Sequence, residues 1–329
     1  MALKLTVAVT YYDRTRALLD GRAAIEGCEA TVLELEPEEM FHRALHYREF
    51  DVAELSFSNF LTLTAEDKCP YLGIPVFPGR KFRHSGIFIN TRSGIEKPED
   101  LKGKIVGTPE YQVTAVTWVR GILEDVHGVA PTDISWRWGG LQQAGRAQKT
   151  DFVPPEGLTL EPIPEGATLQ DMLANGEIDA VISPRSPACF DEGHPDIRRL
   201  FPDYVEQEKA YFKRTGIFPI MHLVGVRKEM VAANPWLPDS LVKAFDVAKD
   251  LAIEEVAYNN IPRVTNPWME AHTADARAVM GADIWPYGVD ANRTCIEAFL
   301  RYHYSQGLAA RELAIEDIFV PSTFERSKI

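Results

Sequence analysis

Two histidines lie in apolar surroundings, where an imidazole could pass protons close to neutral pH. His84 stands in Arg83-His84-Ser85, directly before the buried-looking strand 86–90, and His222 lies in the apolar run 218–226. A polar or charged group that enters an apolar strand is costly unless it has partners. We therefore predict that His84 and His222 are the acid–base pair of a catalytic site. A core histidine with satisfied hydrogen bonds is the alternative interpretation for His222.

Two arginines follow predicted strands and could hold a carboxylate through paired hydrogen bonds. Arg14 lies in the polar turn 11–15 after the first strand, and Arg185 follows the apolar strand 178–183. We predict that both arginines bind the substrate. A solvated arginine at a helix start is the alternative for Arg14, and a salt bridge between lobes is the alternative for Arg185.

Short polar segments elsewhere could contact the same small anion. The segment 56–59 follows the third predicted strand, and 111–114 opens a predicted helix whose first N–H groups favour an anion. Turn-forming serines and an ordinary helix cap are the alternatives, and Glu110 is better explained as a capping acid than as a base. The substrate-binding residues predicted here are Ser56, Ser58, Asn59, Arg83, Ser85, Tyr111, Gln112 and Thr114.

Several other chemistries lack their usual residues. His42 and His46 have the spacing of a helical metal pair, but no third ligand is evident, so a solvated helix face is the better interpretation and no metal site is predicted. The sequence has no Gly-x-Gly-x-x-Gly, P-loop or Gly-x-Ser-x-Gly motif, so we expect no organic cofactor. The cysteines are far apart in sequence, which predicts free thiols; they are Cys28, Cys69, Cys189 and Cys295.

Alternating strands and helices must position these residues. Strands are predicted at 3–9, 31–35 and 51–55, separated by helices, and this alternation indicates an α/β fold with parallel strands. Ligands bind at the carboxyl ends of such strands, which selects the turns 11–15 and 56–59. Helices are predicted over 113–127, 168–176, 238–258 and 290–306.

The chain is acidic. Its 329 residues include 35 Lys+Arg and 48 Asp+Glu, a formal net charge of −13. Such a charge gives no electrostatic basis for binding nucleic acid or an anionic membrane. The start of the sequence lacks the apolar run of a signal peptide, and no stretch is long enough to span a bilayer. We therefore expect a cytoplasmic protein.

Two segments resemble type II periplasmic binding proteins. They are Lys97-Pro-Glu-Asp-Leu-Lys-Gly-Lys-Ile-Val-Gly107 and Leu173-Ala-Asn-Gly-Glu-Ile-Asp-Ala180. The resemblance implies a two-lobed α/β fold in which the second lobe is inserted into the first and the ligand lies in the cleft between them. It assigns 1–92 plus 223–329 to the outer, discontinuous lobe and 93–222 to the inserted lobe.

A more specific resemblance extends over nearly the whole chain. Six segments are similar to the 4,5-dihydroxyphthalate decarboxylase family: 12–22, 56–59, 83–86, 109–112, 214–222 and 285–288. Each segment alone would be a weak signal, but together they point to one family. The resemblance implies an aromatic carboxy-lyase that releases one carboxylate of 4,5-dihydroxyphthalate as CO2 to give protocatechuate, in the degradation of phthalates.

The expected reaction requires a proton donor, a base near the catechol and a clamp for the carboxylate that remains. The partner is then a small aromatic acid; a homo-oligomer and a divalent metal bridging the catechol oxygens are left open. The rival hypothesis is a non-catalytic binding protein for an aromatic acid or a thiamine-precursor-like ligand, which the fold fits equally well. The sequence start and the histidines among the predicted site residues favour the enzyme.

Overall fold

The computed structural model describes residues 2–146, 154–258 and 260–324, and within these ranges the strands form two sheets. The strands are β1 Leu3–Val9, β2 Cys28–Glu34, β3 Val52–Ser56, β4 Tyr71–Ile74, β5 Ile87–Asn90, β6 Ile105–Thr108, β7 Ser135–Trp138, β8 Thr159–Pro162, β9 Ala180–Ile182, β10 Ile197–Arg199 and β11 His222–Arg227.

Helices connect and cover the two sheets. They are α1 Asp13–Leu19, α2 Pro37–His42, α3 Phe57–Ala65, α4 Thr114–His127, α5 Leu169–Asn175, α6 Ala188–Asp191, α7 Tyr204–Thr215, α8 Lys228–Ala233, α9 Leu237–Val256, α10 Met269–Met280, α11 Arg293–Ser305 and α12 Ile315–Ile318. A π-helix, Arg43–Tyr47, continues α2. Short 3₁₀ helices include His84–Gly86. No helix of the described residues combines the length and the apolar character needed to cross a membrane.

The described chain divides into two compact units. The first unit contains the described residues within 1–80, 212–297 and 313–329, and the second contains those within 81–211 and 298–312. The α/β fold expected from the sequence is confirmed by these sheets and helices. The lobe boundaries expected from the sequence, 1–92 plus 223–329 and 93–222, stay predictions.

The sheet of the first unit has the strand order β2-β1-β3-β11-β4. Strand β1 pairs in parallel with β2 and β3, whereas β11 is antiparallel to both β3 and β4. The parallel arrangement expected for the first three strands is confirmed, and the sheet as a whole is mixed because β11 runs antiparallel. Strand β11 enters this sheet after the long excursion through the second unit, so no βα crossover from β3 or β4 sets its direction.

The sheet of the second unit has the order β10-β5-β9-β6-β7-β8. Strand β5 is antiparallel to β9 and β10, while β6 is parallel to β7 and β9. Helix α4 packs its apolar face on this sheet, and Val116, Val119 and Leu123 join Val106 and Trp136 in one core. Gly128 ends α4 with a positive φ of 63°, a conformation that glycine adopts without steric cost.

Candidate active site

In the first unit, three strands bring predicted site residues to one edge of the sheet. Strands β1 and β3 are parallel and end there, and the antiparallel β11 begins there, with His222 opposite Ser56. Arg14 follows β1 at the start of α1, and the segment 56–59 carries the end of β3 into α3. The structure thus brings Arg14, Ser56, Ser58, Asn59 and His222 to the same edge.

A carboxylate pairs with His222 at this edge. The Nδ1 atom of His222 lies 2.6 Å from Oε1 of Glu54, whose side chain is 0% exposed. Glu54 also accepts hydrogen bonds from the Thr10 backbone N–H at 3.0 Å and from the Tyr12 hydroxyl at 3.1 Å. Burial opposes ionisation of Glu54, but the hydrogen bonds and the charge of His222 outweigh it and lower the pKa of this carboxyl.

The imidazole of His222 is confined by its neighbours. Its ring meets Phe41 edge-on with centroids 4.9 Å apart, and 20% of the side chain is exposed. The backbone of Gly79 lies so close that an added Cβ would stand 2.4 Å from Nδ1, a distance that no side chain tolerates. The backbone N–H of His222 donates to the Gly79 carbonyl at 3.0 Å. Glycine at position 79 is thus a steric requirement of the histidine.

Arg14 lies between two aromatic rings next to this pair. Its guanidinium carbon is 4.0 Å from the centroid of Tyr12 and 4.1 Å from that of Trp285. Its Nε donates to the Pro78 carbonyl at 2.5 Å and its Nη1 to Asp13 at 3.1 Å. These contacts fix the plane of the guanidinium. Burial and the nearby Glu54 charge raise the pKa of Tyr12, so its hydroxyl stays a donor.

The serines and asparagine of segment 56–59 differ in their surroundings. Ser56 is the last residue of β3 and immediately precedes α3. Ser58 is fully buried, whereas Asn59 is half-buried. A groove of about 290 Å³ opens in this unit beside Arg14 and Trp285, which form part of its wall. The groove is otherwise lined mainly by apolar residues of α9 and α10, among them Ala252, Ile253, Val256, Met269 and Ala276.

In the second unit, the other predicted residues also meet at one sheet edge. Strand β5 begins where β9 ends, and β6, parallel to β9, ends on the same side. The segment 83–85 precedes β5, the segment 111–114 follows β6, and Arg185 follows β9. This edge therefore gathers Arg83, His84, Ser85, Tyr111, Gln112, Thr114 and Arg185.

His84 has a carboxylate neighbour of its own. Its Nδ1 lies 4.0 Å from Oε1 of Glu208, and its ring meets Phe201 and Tyr211 at centroid distances of 5.4 Å each. Burial raises the pKa of Glu208 to about 7, although the backbone N–H groups of Ser85 and His84 and nearby positive charges lower it in part. Burial also lowers the pKa of Arg83 to about 10.

The residues around the start of α4 are mostly interior. Tyr111 is 0% exposed, and the guanidinium carbon of the buried Arg120 lies 3.6 Å from its ring centroid. Gln112 and Thr114 are also buried. Glu110 forms an ion pair with Arg146 at 2.5 Å, and its role as a capping acid stays a prediction. Arg185, in contrast, is an exposed residue.

No described group of three or more His, Cys, Asp or Glu side chains is arranged to hold a metal ion. His42 and His46 are exposed, and their rings stack with centroids 5.2 Å apart. The four cysteines are free thiols, as the sequence predicts.

Four residues of these two sites were not predicted from the sequence: Glu54, Tyr12, Trp285 and Glu208. A signal was present for Glu54, because a glutamate within the apolar strand 52–55 is costly to bury without partners. For Glu208, which lies on a mostly polar helix, no comparable sequence signal exists. Chemically, a histidine that is hydrogen-bonded to an ionised carboxylate can transfer a proton, and the adjacent guanidinium can attract an anion.

Two known proteins resemble this chain, one of them over nearly its full length. A 4,5-dihydroxyphthalate decarboxylase of Comamonas testosteroni is 42% identical over 327 residues, which cover 99% of this chain and 99% of that protein. A 4,5-dihydroxyphthalate decarboxylase of Pseudomonas putida is 45% identical over 201 residues, covering 61% of this chain and 78% of that protein. No protein-family model matches the chain.

Two solved structures with the same fold are sulfonate-binding proteins. The periplasmic aliphatic sulphonate binding protein SsuA from Escherichia coli superposes with a TM-score of 0.56 at 14% identity, covering 100% of this chain and 96% of that one. A putative periplasmic sulfonate-binding protein SsuA from Methylobacillus flagellatus gives 0.55 at 16% identity, covering 98% and 92%. At such identities the likeness is one of fold alone, and it confirms the periplasmic-binding-protein-like fold predicted from the sequence.

Proposed function

Because this chain belongs to the 4,5-dihydroxyphthalate decarboxylase family, we propose that it is a carboxy-lyase that converts 4,5-dihydroxyphthalate to protocatechuate and CO2. The observation that carries the proposal is the relationship at 42% identity over 99% of both chains. The sheet edge of the first unit supports it, because a hydrogen-bonded histidine and an ordered arginine stand there together.

The reaction replaces a carboxylate on a ring carbon by a proton. The hydroxyl para to that carbon releases electron density into the ring as its proton is withdrawn. The ring carbon then accepts a proton from an acid, the bond to the carboxylate breaks, and its electron pair returns to the ring as CO2 leaves. The phenol regains its proton, so the net change consumes one proton, which solvent restores to the acid. The ring and its hydroxyl accept the developing charge themselves.

We assign the proton donor to His222. Its imidazole is hydrogen-bonded and partly exposed, whereas His84 is 5% exposed and lies against two aromatic rings. The predicted role of His84 in the acid–base pair stays a prediction. An acid must come within hydrogen-bond reach of the carbon that it protonates, and the partial exposure of His222 supports such access.

We assign a carboxylate-binding role to Arg14. Its Nε and Nη1 are engaged by Pro78 and Asp13, and no described residue accepts a hydrogen bond from its Nη2. The two flanking rings hold the guanidinium plane, so little conformational entropy is lost when an anion binds. The roles predicted for Arg185 and for the polar segments 56–59, 83–85 and 111–114 stay predictions.

We further propose that the reaction needs no organic cofactor and takes place in the cytoplasm. Four free thiols support a reducing compartment. The purified protein should be colourless, and a stoichiometric flavin or pyridoxal absorbance would contradict this part of the proposal. Activity that is lost in chelator and restored by a divalent ion would instead show that the reaction depends on a divalent metal. Cell fractionation tests the compartment, and light scattering measures whether the protein forms a homo-oligomer.

The decisive experiment supplies 4,5-dihydroxyphthalate to the purified protein and measures CO2 release and protocatechuate by chromatography. The expected result is stoichiometric formation of both products. Phthalate is the matched control substrate, because it has both carboxylates but no para hydroxyl, and it should give no CO2. Binding of 4,5-dihydroxyphthalate without turnover would favour the rival hypothesis of a binding protein.

A further inference from the structure

We infer that Glu54 is the positioning residue of the proton donor: it holds the Nδ1 proton of His222 and thereby makes Nε2 the nitrogen that exchanges protons with the ligand. The inference rests on the proposed function, since it names how the assigned histidine works. Oε1 of Glu54 lies only 2.6 Å from Nδ1 of His222.

The direction of this hydrogen bond follows from the partners of Glu54. The carboxylate is fully buried, and it accepts hydrogen bonds at both oxygens, Oε2 from the Thr10 N–H and Oε1 from the Tyr12 hydroxyl. Donors at both oxygens favour the ionised form, which can only accept. The proton between Glu54 and His222 therefore belongs to Nδ1.

Two protonation states of His222 satisfy this bond. In the neutral ring Nδ1 carries the proton and Nε2 has a lone pair, and in the charged ring both nitrogens carry protons. The ring passes between these states only by gaining or losing the Nε2 proton. In the forward reaction Nε2 gives its proton to the ring carbon of the substrate, and the neutral ring that remains still donates through Nδ1 to Glu54. Solvent then returns one proton to Nε2.

The surroundings also restrict rotation of the ring. The Gly79 backbone stands against Nδ1, and Phe41 contacts the ring edge-on. Glu54 itself cannot easily turn, because it lies within β3 and is bound from Thr10 and Tyr12 at the end of β1. The orientation of His222 is thus fixed by groups from three different parts of the first unit.

The test replaces Glu54 by Gln, which keeps the size but can offer an N–H to Nδ1. The neutral ring should then change to the Nε2–H tautomer, and kcat should fall by roughly 10²–10⁴-fold, the contribution of general acid–base catalysis, because a histidine in the wrong tautomer no longer exchanges its proton at Nε2. KM should change by less than about threefold.

Tyr12→Phe is the milder variant. It removes one hydrogen-bond donor to Glu54, and we expect a loss in kcat of at most roughly tenfold with the Nδ1–H tautomer retained.

The tautomer is measured by ¹⁵N NMR on protein labelled at its 8 histidines, with the His222 signals assigned from the His222→Gln spectrum. Asp51→Asn is the matched control, because Asp51 also accepts from a neighbouring strand, at 2.9 Å from the Thr6 N–H, but at the opposite end of β3. It should lower stability without changing the tautomer or kcat.

An unchanged tautomer in Glu54→Gln, or an unchanged kcat despite a changed tautomer, would overturn the inference. If Glu54→Gln does not fold, the wild-type spectrum decides: a neutral His222 with its proton on Nε2 overturns the inference, and a proton on Nδ1 supports it. The tautomer is read without turnover, so a protein that fails to decarboxylate 4,5-dihydroxyphthalate would refute the proposed function while leaving the geometry of Glu54 and His222 tested separately.

Discussion

The two units each contain a glutamate next to a histidine, yet the two pairs are built differently. Glu54 touches His222 at 2.6 Å and accepts two further hydrogen bonds, and its pKa is lowered although the side chain is 0% exposed. Glu208 lies 4.0 Å from His84, beyond hydrogen-bonding distance, and burial raises its pKa to about 7 although its side chain is 14% exposed.

The comparison shows that burial alone does not set the charge of a carboxyl group. Burial disfavours the charged form of both glutamates. At Glu54 the hydrogen bonds and the charge of His222 outweigh this cost, whereas at Glu208 the backbone N–H groups of Ser85 and His84 offset it only in part. An ionised carboxylate holds a histidine in one orientation, whereas a carboxyl that titrates near neutral pH does so over only part of the pH range. The pair in the first unit is therefore the better catalytic candidate.

Exchanging each histidine for asparagine gives the largest expected difference between the pairs. His222→Asn should lower kcat by about 10²–10⁴-fold, the range for a lost general acid, and remove one limb of the pH–rate profile. His84→Asn should mainly lower the melting temperature, with a far smaller effect on kcat per folded molecule. Steady-state kinetics gives kcat and thermal unfolding gives the melting temperature of both variants.

The opposite pattern, with His84→Asn inactive and His222→Asn active, would transfer the catalytic role to the second unit. Normal turnover in both variants would mean that neither histidine is the acid. The proton donor would then have to be sought among Glu110, Tyr111 and bound water.

Removing a guanidinium should have the next largest effect. Arg14→Ala should cost ~1.5–3 kcal/mol in kcat/KM, roughly 10- to 150-fold, because a charge-assisted hydrogen bond to the substrate is lost. Arg14→Lys should recover only part, since an ammonium lacks the planar fork that stacks between Tyr12 and Trp285. Arg185→Ala tests the clamp predicted in the second unit. Unchanged kinetics in both alanine variants would remove these arginines from substrate binding.

A structural feature could be predicted from the sequence when the residues that determine it lie close together along the chain. The helix predicted at 113–127 is α4, Thr114–His127, and the helix predicted at 238–258 is α9, Leu237–Val256, because apolar periodicity and terminal signals lie within each segment. The antiparallel direction of β11 was not predictable in this way, since strand direction depends on the path of the whole chain between β4 and β11.

The candidate site follows the same rule. Arg14, Ser56 and His222 were predicted because each follows or enters an apolar strand in the sequence. Glu54 was missed because its partner His222 is 168 residues away, and its partners Thr10 and Tyr12 are 44 and 42 residues away. No local pattern reports whether a buried glutamate meets three donors or none.

The pH dependence of stability separates the two glutamates. The pKa of Glu208 is about 7 in the folded protein and ordinary, about 4.3, in the unfolded chain, so the folded state binds more protons between these values. Stability should therefore fall as pH rises through this window, by up to ~2–3 kcal/mol, and should change no further above it. Glu208→Gln should remove this decline, which urea unfolding at pH 5, 6, 7 and 8 measures.

The contribution of Glu54 to stability changes with pH in the opposite direction. Its pKa is lowered in the folded protein, so its contribution is present above the unfolded value and is lost as pH falls through the folded one. The decline that Glu208→Gln removes should therefore persist in Glu54→Gln. If Glu208→Gln keeps the decline between pH 5 and 7, then burial does not control this carboxyl, and the contrast drawn between the two pairs is wrong.

The smallest expected effect comes from removing the Lys81 charge, which tests whether a nearby ammonium changes the Glu208 pKa without direct contact. The Lys81 ammonium lowers the pKa of Glu208 in part, against the larger effect of burial. Lys81 is exposed, and pairs that involve exposed charges are worth ~0.2–1 kcal/mol, so Lys81→Met should move the stability decline upward by about 0.2–0.7 pH unit. The shift should shrink in 1 M salt, where the Debye length is about 3 Å.

Lys102→Met is the matched control, since Lys102 lies in the same unit but pairs with Asp133 at 3.6 Å, and it should leave the decline in place. An equal shift in both variants would mean that net charge, and not the position of Lys81, governs Glu208; a larger shift in Lys81→Met that survives high salt would mean that the ammonium acts through a direct contact.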